Sequence, residues 1–185
     1  MSSATITTKL ISGEEYAAMI RSGRSALIDG IMTPMTPTGD DHGAYEGNVY
    51  YALRPFVESN KLGKVRVGEV GIYLRRNPDT VRGADVIFIT NERYAQKTKS
   101  AFLEIAPDLV VEVMSPNDSY SEVKQKLREY FSIGVRLVWV LDPDAQQVHA
   151  YRAPTDVREF GLDDELPGDD VLPGFSVKVA LLFEI

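Results

Sequence analysis

Apolar residues recur along the chain at two spacings, and the three- to four-residue spacing predicts three helices. "SGEEYAAMI" begins like a helix, because Ser12 and Glu15 have the spacing of a capping box. In "HGAYEGNVYYALRPFVESN" the spacing produces one apolar face. That face comprises Tyr45, Val49, Ala52, Leu53 and Phe56. "NDSYSEVKQKLREYFSIGV" predicts the third helix, with Asp118 or Ser121 as its cap and Gly134 at its end.

Alternating or continuous apolar runs predict the strands. "SALIDG" is typical of a short strand that ends in an Asp-Gly turn. Further strands are expected near 69–74, 84–90 and 109–114, in "RLVWVLDP", and in "QQVHAYRAP" as a final edge strand. "IMTPMTPTGDD" has the composition of a loop, and 161–174 that of a long surface loop.

The order of these elements is helix, strands, helix and strands again. Such mixed connections indicate an α/β or α+β protein, in which helices pack on a layered sheet. A length of 185 residues fits one domain. We therefore expect residues 1–185 to form a single domain.

Composition narrows the class of protein. The apolar share of 44% and charged share of 25% are those of a globular protein, and the absence of Cys excludes disulfides and Cys-ligated zinc. No stretch approaches the roughly 20 apolar residues that span a bilayer, and the N-terminus lacks signal-peptide features. We therefore expect a cytoplasmic protein that does not contact membranes. The net charge of −7 argues against a basic nucleic-acid coat, although metal ions can supply the charge that meets phosphate.

Two carboxylates interrupt the strongly apolar strands. Asp85 lies in "ADVIFI" and Glu112 in "DLVVEVM". A buried ionised carboxylate must be paired, neutralised or bound to metal. If the two strands are neighbours, the pair is suited to Mg²⁺, which prefers oxygen ligands. Alternatively, Asp85 is only the polar start of its strand, and Glu112 faces water on the same side as Asp108 and Val110.

Lys126 on the third helix completes a set of residues suited to phosphodiester hydrolysis. A lysine beside a metal can orient a water or hold a phosphate oxygen. On its own, however, Lys126 could be an ordinary solvated lysine. Other chemistries lack support, since no phosphate-binding glycine loop, G-x-S-x-G or H-E-x-x-H is present. His42, which follows "TGDD" at a helix start, could be a cap or a ligand.

Several segments together resemble one family. "PDLVVEVMSPND", continued by "EVKQKLREYFSIGVRLVWVLDPDAQQVHAYR", is similar to the Uma-type family of restriction endonucleases, within the PD-(D/E)XK nuclease superfamily. "ALIDGIMTPMTPTGDDHG", "TVRGADVIFITNER" and "DDVLPGFSVKVALLF" resemble further segments of that family in the same order. The resemblance covers about residues 26–183. It implies a restriction endonuclease-like core, with a central mixed sheet flanked by helices and an N-terminal helix and hairpin extension.

The resemblance also implies roles for particular residues. Asp85 corresponds to the aspartate of the "PD" motif, with Ala84 in place of the proline, and Glu112 to the acidic residue of "ExK". Both would bind the metal. Met114 stands where the superfamily has lysine, so Lys126 on the following helix is the implied catalytic lysine. The further candidates that the resemblance implies are Lys124 as the competing lysine, Glu46 as an additional acid, His42 as a recurrent family histidine, and Asp108, which ranks below Asp85.

Together these features predict a DNA endonuclease that depends on Mg²⁺ or Mn²⁺. Because cutting both strands of a duplex takes two centres, a homodimer is a reasonable expectation. The alternative is a nuclease-like fold that binds nucleic acid or a protein without cutting. A third hypothesis is a structural protein in which Glu112 simply faces solvent.

Overall fold

The computed structural model describes residues 9–20, 24–116 and 118–185. The expectation about signal peptides partly concerns residues 1–8, which lie outside this range. The helices are α1 (Gly13–Met19), α2 (Asp40–Ser59), α3 (Asn91–Tyr94), α4 (Tyr120–Ser132) and a 3₁₀ helix (Val179–Leu182). The strands are β1 (Arg24–Ile28), β2 (Ile31–Met35), β3 (Gly63–Arg75), β4 (Thr80–Thr90), β5 (Leu109–Val113), β6 (Leu137–Asp142), β7 (Gln147–Ala153), β8 (Asp156–Phe160), β9 (Glu165–Pro167) and β10 (Ser176–Lys178).

Eight strands form the central mixed sheet. Its order is β2-β1-β4-β5-β6-β7-β8, and β3 pairs with β4 outside this path. Among the strands of the described residues, only β5 and β6 pair in parallel, and α4 is the crossover between them. β9 and β10 form a separate two-stranded sheet. The expected architecture, a mixed sheet with flanking helices and an N-terminal helix and hairpin, is confirmed.

β4 joins the N-terminal hairpin to the rest of the sheet, because β1, β3 and β5 all pair with it. β3 pairs along its length, from Gly63–Thr90 to Arg75–Thr80. The opposite edge is shared, since β1 pairs at Val81 and β5 pairs only from Val86 onward. Asp85 therefore lies where β4 passes from one neighbour to the next.

The core has two main parts, and β5 contributes to both. Leu109, Val111 and Val113 belong to the cluster that includes the apolar residues of α2. Val110 belongs to the other cluster, which includes Leu127 and Tyr130 of α4. Every residue of β5 is buried, including Glu112 at 7% exposure. The alternative in which Glu112 faces water is therefore wrong, because α4 covers the side of the strand on which it lies.

Helix α2 packs through a single stripe of residues. Its buried members are Tyr45, Val49, Leu53 and Val57. Glu46 lies three residues before Val49 on the same side of the helix, and His42 lies one further turn toward the N-terminus. Both side chains are largely buried, with 10% and 13% of their surface exposed. The stripe that fixes the helix on the core thus also directs two polar side chains inward.

The predicted loop at 31–41 is wrong at its start, because Ile31–Met35 form β2. Asp29 and Gly30 adopt positive φ values of 53° and 76°, the backbone of a tight hairpin turn, and β2 pairs with β1. Pro34 is tolerated because β2 is an edge strand. The Thr and Pro residues of this segment gave β2 the local composition of a loop, although the resemblance implied a hairpin in this part of the chain.

Two expectations for the C-terminal part also need correction. The segment "QQVHAYRAP" is not the edge of the sheet, because β8 pairs with β7 and takes that position. The stretch 161–174 is not simply a surface loop, since it contains β9 and buries Leu166, Val171 and Leu172. These few apolar residues pack into the same cluster as α2. Their isolation among Asp, Gly and Pro masked their burial.

The helix starts follow the expected chemistry with one change. Ser12 and Glu15 form the predicted capping box of α1, whereas α4 is capped by Ser119 with Glu122 and not by Asp118 or Ser121. Asp118 instead accepts the backbone N–H of Ser115 at 2.9 Å, which stabilises the preceding turn.

Charged contacts hold α1 on the β3–β4 turn. Asp79 accepts the Gly13 amide at 2.8 Å, and Arg76 reaches Asp79 at 3.0 Å. Arg76 also contacts Glu14 at 2.9 Å and Glu104 at 2.7 Å. Burial raises the pKa of Asp79, but the amides of Gly13 and Asn77 and the Arg76 guanidinium outweigh it and lower that pKa overall.

Among the described residues, no helix is long and apolar enough to cross a membrane.

Candidate metal centre

Asp85 is a buried carboxylate at the junction of β4 with β5. The residue is 4% exposed, and its Oδ2 accepts the backbone N–H of Val113 at 2.7 Å. The β4–β5 register pairs Val86 with Val111, so its continuation places Asp85 opposite Glu112. The sequence-based expectation that these two acids come from neighbouring strands is confirmed.

α2 brings a histidine and a second acid to Asp85. His42 Nε2 lies 3.0 Å from Glu46 Oε1 and 3.5 Å from Asp85 Oδ2. The histidine and Glu46 are four residues apart on one face of α2, so both reach the same point on the sheet. One ligand atom from each of the three residues lies within 4.8 Å of the others.

This group fits a divalent cation. His42 Nε2 is buried and has no aligned hydrogen-bond partner among the described residues, despite its two neighbouring carboxylates. An unaligned imidazole nitrogen beside two carboxylates offers one nitrogen and two oxygen donors, a set that suits Mn²⁺ and other first-row ions as well as Mg²⁺. The three side chains could hold such an ion together.

Without a cation, the two carboxylates act on the histidine itself. Burial lowers the pKa of His42, but Asp85 and Glu46 outweigh this effect and raise it from 6.5 to about 9. The metal-free protein therefore carries a protonated His42 near neutral pH. That proton partly offsets the charge of two adjacent buried acids.

Glu112 is held by α4 and not by α2. Its Oε2 accepts from Lys126 Nζ at 2.5 Å, and its Oε1 accepts from the Tyr130 hydroxyl at 2.5 Å. The two donors are four residues apart, on the face of α4 that also buries Leu127. Burial raises the pKa of Glu112, while the Glu112 carboxylate raises the pKa of Lys126 and keeps its ammonium protonated.

The two halves of the site adjoin one another. Lys126 and Glu112 line a small cleft with Met114 and Asp118. The same Met114 and Asp118 also line the groove that contains His42. The structure therefore brings Asp85, Glu112, Lys126, His42 and Glu46 into one region.

A family model described as "Putative restriction endonuclease", Uma2, matches residues 14–180. The chain belongs to this family. A comparison with curated proteins gave no significant match.

A solved structure shares the fold of this Uma2 chain. It is the crystal structure of a "putative nuclease belonging to DUF820" from Anabaena variabilis, with a TM-score of 0.79 and 20% sequence identity. The similarity covers 94% of this chain and 97% of that one. The protein has the restriction endonuclease-like fold expected from its sequence, and the family indicates a nuclease.

Two other candidates of the Uma2 chain lie away from the cluster. Lys124 is exposed on α4, with its Nζ 4.5 Å from the centre of the Tyr120 ring. Asp108 is buried just before β5, where it accepts the Thr90 amide at 2.8 Å and contacts Arg93 at 3.3 Å. Its contacts therefore fix the start of the strand, whereas Glu112 lies near the other end.

Sequence reasoning missed Tyr130 as a partner in the Uma2 site. By spacing, Tyr130 belongs to the apolar face of α4 with Leu127, where the sequence pattern indicates only a packing residue. The available clue was its spacing of four from Lys126 on a helix expected to cover Glu112, because a buried tyrosine hydroxyl needs a hydrogen-bond acceptor.

A strongly acidic groove opens beside His42. Its lining includes five aspartates, Asp40, Asp41, Asp118, Asp142 and Asp144. Asp118 and Asp142 accept backbone amides in local turns, whereas Asp40, Asp41 and Asp144 are exposed. This acidic groove favours cations at the site and repels a phosphate backbone.

Proposed function

We propose that this protein is a metal-dependent DNA endonuclease that hydrolyses phosphodiester bonds. The observation that carries the proposal is the group of His42, Glu46 and Asp85 beside the Lys126–Glu112 pair. A nuclease needs positive charge at the scissile phosphate, and this group can hold it in the form of a cation. The family supports the nuclease class, while the choice of DNA and of metal dependence is our inference.

We assign the role of cation ligands, for Mg²⁺ or Mn²⁺, to His42, Glu46 and Asp85. Such an ion supplies Lewis acidity toward phosphate oxygens and lowers the pKa of a coordinated water. Because the imidazole is a better ligand for Mn²⁺ than for Mg²⁺, we expect Mn²⁺ to bind more tightly. Asp85 is fixed for this task by its bond with the Val113 amide.

We propose that the ammonium of Lys126 stabilises the negative charge of the reacting phosphate. Its side chain is 23% exposed, so the ammonium can meet a substrate while its stem remains packed. A preorganised ammonium stabilises charge that grows in the transition state, in a site from which much of the water is excluded. We assign this activity to a single domain with a core of about residues 26–183, which would work as a homodimer on duplex DNA.

Plasmid cleavage with Mn²⁺ or Mg²⁺ tests this proposal. We expect Asp85→Asn and Lys126→Ala each to lower the rate by about 100-fold or more, the usual loss for a transition-state contact. Lys124→Ala is the matched control, because it removes an exposed lysine from the same helix, and it should cleave at nearly the wild-type rate. Equal rates in all four proteins would refute the assignment.

A second candidate function follows from the acidic groove. Five aspartates beside the site oppose the approach of a phosphate backbone, which favours a nuclease-like fold that binds a protein partner without cutting nucleic acid. Calorimetry with Mn²⁺ separates the two. Saturable binding that Asp85→Asn abolishes supports the endonuclease, and absence of binding supports the second candidate.

A further inference from the structure

A second groove lies between helix α2 and the outer edge of β3. The side chains that argue for its role are Tyr50, Arg54 and Glu58 of α2 with Lys64 and Arg66 of β3. We call it the basic groove, because three cationic side chains and only one carboxylate line it. Among the described strands β3 pairs only with β4, so its other edge is open along this groove.

The α2 wall of the basic groove begins at the cation ligands. His42, Glu46, Tyr50 and Arg54 follow one another at four-residue steps, so the flank of the helix that holds two ligands continues into the groove. Arg54 lies about 12 Å along the helix axis from Glu46, at about 1.5 Å of rise per residue.

The β3 wall of the basic groove leads to the same point. The β3–β4 register shifts after Val67, and the bulged residues that follow stand opposite Asp85. Arg66 and Lys64 pair with β4 residues that are two and four positions beyond Asp85. They therefore lie about 7 and 14 Å farther along the sheet than Asp85. The cations form a row that starts near the cation ligands.

These cations are available to an anion. Lys64 and Arg66 are both exposed, and among the described residues neither forms a salt bridge. Arg54 pairs with Glu58 at 2.7 Å, but their side chains are 51% and 61% exposed, and such pairs contribute little. Within 59–68 the sequence has three basic residues and no acidic one, although the chain carries a net charge of −7.

The acidic groove lies at the other end of the same helix. It includes Asp40 and Asp41 at the start of α2, whereas the basic groove follows the C-terminal half of α2. A phosphate backbone at the cation ligands is therefore repelled on the first side and attracted on the second. Electrostatics favours one path for the substrate away from the cation.

We propose that the basic groove holds the phosphate backbone of the DNA strand that carries the scissile bond. Arg54, Lys64 and Arg66 contact phosphates on one side of that bond. The inference rests on the proposed function and refines it, since it adds a substrate-binding surface to the site of the cation and Lys126. The competing explanation is that these cations only protect an open strand edge from pairing with another chain.

Fluorescence anisotropy with a short labelled DNA duplex tests the contacts, with Ca²⁺ in place of Mn²⁺ to suppress cleavage. We expect Lys64→Gln with Arg66→Gln to weaken binding by about tenfold or more in low salt, and to reduce the salt slope by about one unit for each lost contact. Lys124→Gln with Arg128→Gln removes the same two residue types from exposed positions on α4 and should leave both quantities nearly unchanged. An equal loss in both double variants, or an unchanged Kd in the first, would overturn the inference.

Cross-linking locates the bound strand, because the chain contains no cysteine. Lys64→Cys and Lys124→Cys each create one attachment point for a photoactivated cross-linker. We expect the duplex to cross-link to the Lys64→Cys protein and much less to the Lys124→Cys protein. Equal yields from the two proteins would contradict the proposed path.

Plasmid cleavage separates the inference from the proposed function. Because groove contacts bind substrate and transition state alike, Lys64→Gln with Arg66→Gln should raise KM and leave kcat nearly unchanged, whereas Lys126→Ala lowers kcat. A wild type that binds DNA in the groove without cleaving it refutes the proposed function and leaves the inference standing. Cleavage by a double variant that keeps the wild-type KM and salt slope refutes the inference alone.

Fluorescence of Trp139, the single tryptophan and a buried one, shows whether each variant is folded. If the double variant of Lys64 and Arg66 does not fold, Arg54→Gln decides, because it removes the third cation of the groove from an exposed helix position. An unchanged Kd and an unchanged salt slope in that folded variant overturn the inference.

Discussion

Asp85 and Val113 are joined by a buried hydrogen bond of 2.7 Å from the Val113 amide to the Asp85 carboxylate. The bond crosses from β4 to β5 beyond the last residue pair of their ladder, which ends at Val86 and Val111. A residue assigned to a cation is therefore also a structural link between two strands. Its loss should affect stability and metal binding by different routes.

Substitutions of Asp85 should separate these two roles. Asp85→Ala leaves the Val113 amide buried without an acceptor, which should cost about 1–3 kcal/mol of unfolding free energy. Asp85→Asn keeps an acceptor oxygen and should cost less, although both variants lose the cation ligand. Urea unfolding with a chelator present, followed by Trp139 fluorescence, measures the difference. Equal stability of the two variants would show that the bond contributes nothing.

The metal-free protein should lose stability as the pH rises through about 9. Asp85 and Glu46 raise the pKa of His42 from 6.5 to about 9 in the folded state, so folding favours the protonated form. This contribution, about 2–3 kcal/mol, is complete below pH 6.5 and disappears above pH 9. Urea unfolding at pH 6 and pH 9.5 with a chelator should show the loss in the wild type but not in His42→Gln. Parallel pH dependence in both proteins would contradict the prediction.

Arg76→Ala should loosen helix α1. The guanidinium contacts Glu14, Asp79 and Glu104, and it lies 3.5 Å from the centre of the Tyr73 ring. Its removal leaves the buried Asp79 without its cationic partner, and we expect a loss of about 1–2 kcal/mol that shrinks in high salt.

Thermal unfolding and proteolysis near α1 measure the Arg76 effect. Arg54→Ala is the control, because it removes an exposed Arg54–Glu58 pair within α2, and such pairs contribute little. A midpoint shift for Arg76→Ala no larger than that of Arg54→Ala would refute the prediction.

Neutralising the acidic groove should tighten binding of DNA. Asp41→Asn with Asp144→Asn removes two exposed charges beside His42, and we expect affinity for a short duplex to rise by about three- to tenfold in low salt. Ca²⁺ replaces Mn²⁺ in this measurement to suppress cleavage.

The salt dependence and a charge-matched control show whether the gain in DNA affinity comes from the acidic groove. The gain should fade near 0.3 M salt, because the Debye length falls to several ångströms. Asp156→Asn with Asp163→Asn removes the same charge from exposed positions outside the groove and should leave affinity nearly unchanged. An equal gain in both double variants would mean that net charge alone is responsible.

Sequence pattern was sufficient for the parts of the fold that depend on local rules. The α1 capping box, the α2 stripe and the buried β5 run were all found, because each is encoded within a few residues. β2 and β9 were missed, since their stability comes from pairing partners and not from their own composition.

In the candidate site, too, the sequence indicated the features that depend on neighbouring residues but not those that depend on tertiary packing. Asp85 and Glu112 stood out because acids are unusual in apolar strands, and the structure does place them on adjacent strands. The sequence could not indicate which side chain contacts which acid. In the structure His42 lies beside Asp85, and Tyr130 lies beside Glu112. These contacts depend on which helix covers which side of the sheet.

The α2 stripe has a consequence for how this site can change. Because His42 and Glu46 continue the line of Val49 and Leu53, their direction is set by helical phase. One residue inserted between Glu46 and Val49 would rotate His42 and Glu46 by about 100° about the helix axis, while Val49, Leu53 and Val57 kept their packing. Insertions ahead of Asp40 would leave the phase intact. The packing of the apolar stripe therefore determines the direction in which the side chains of His42 and Glu46 point.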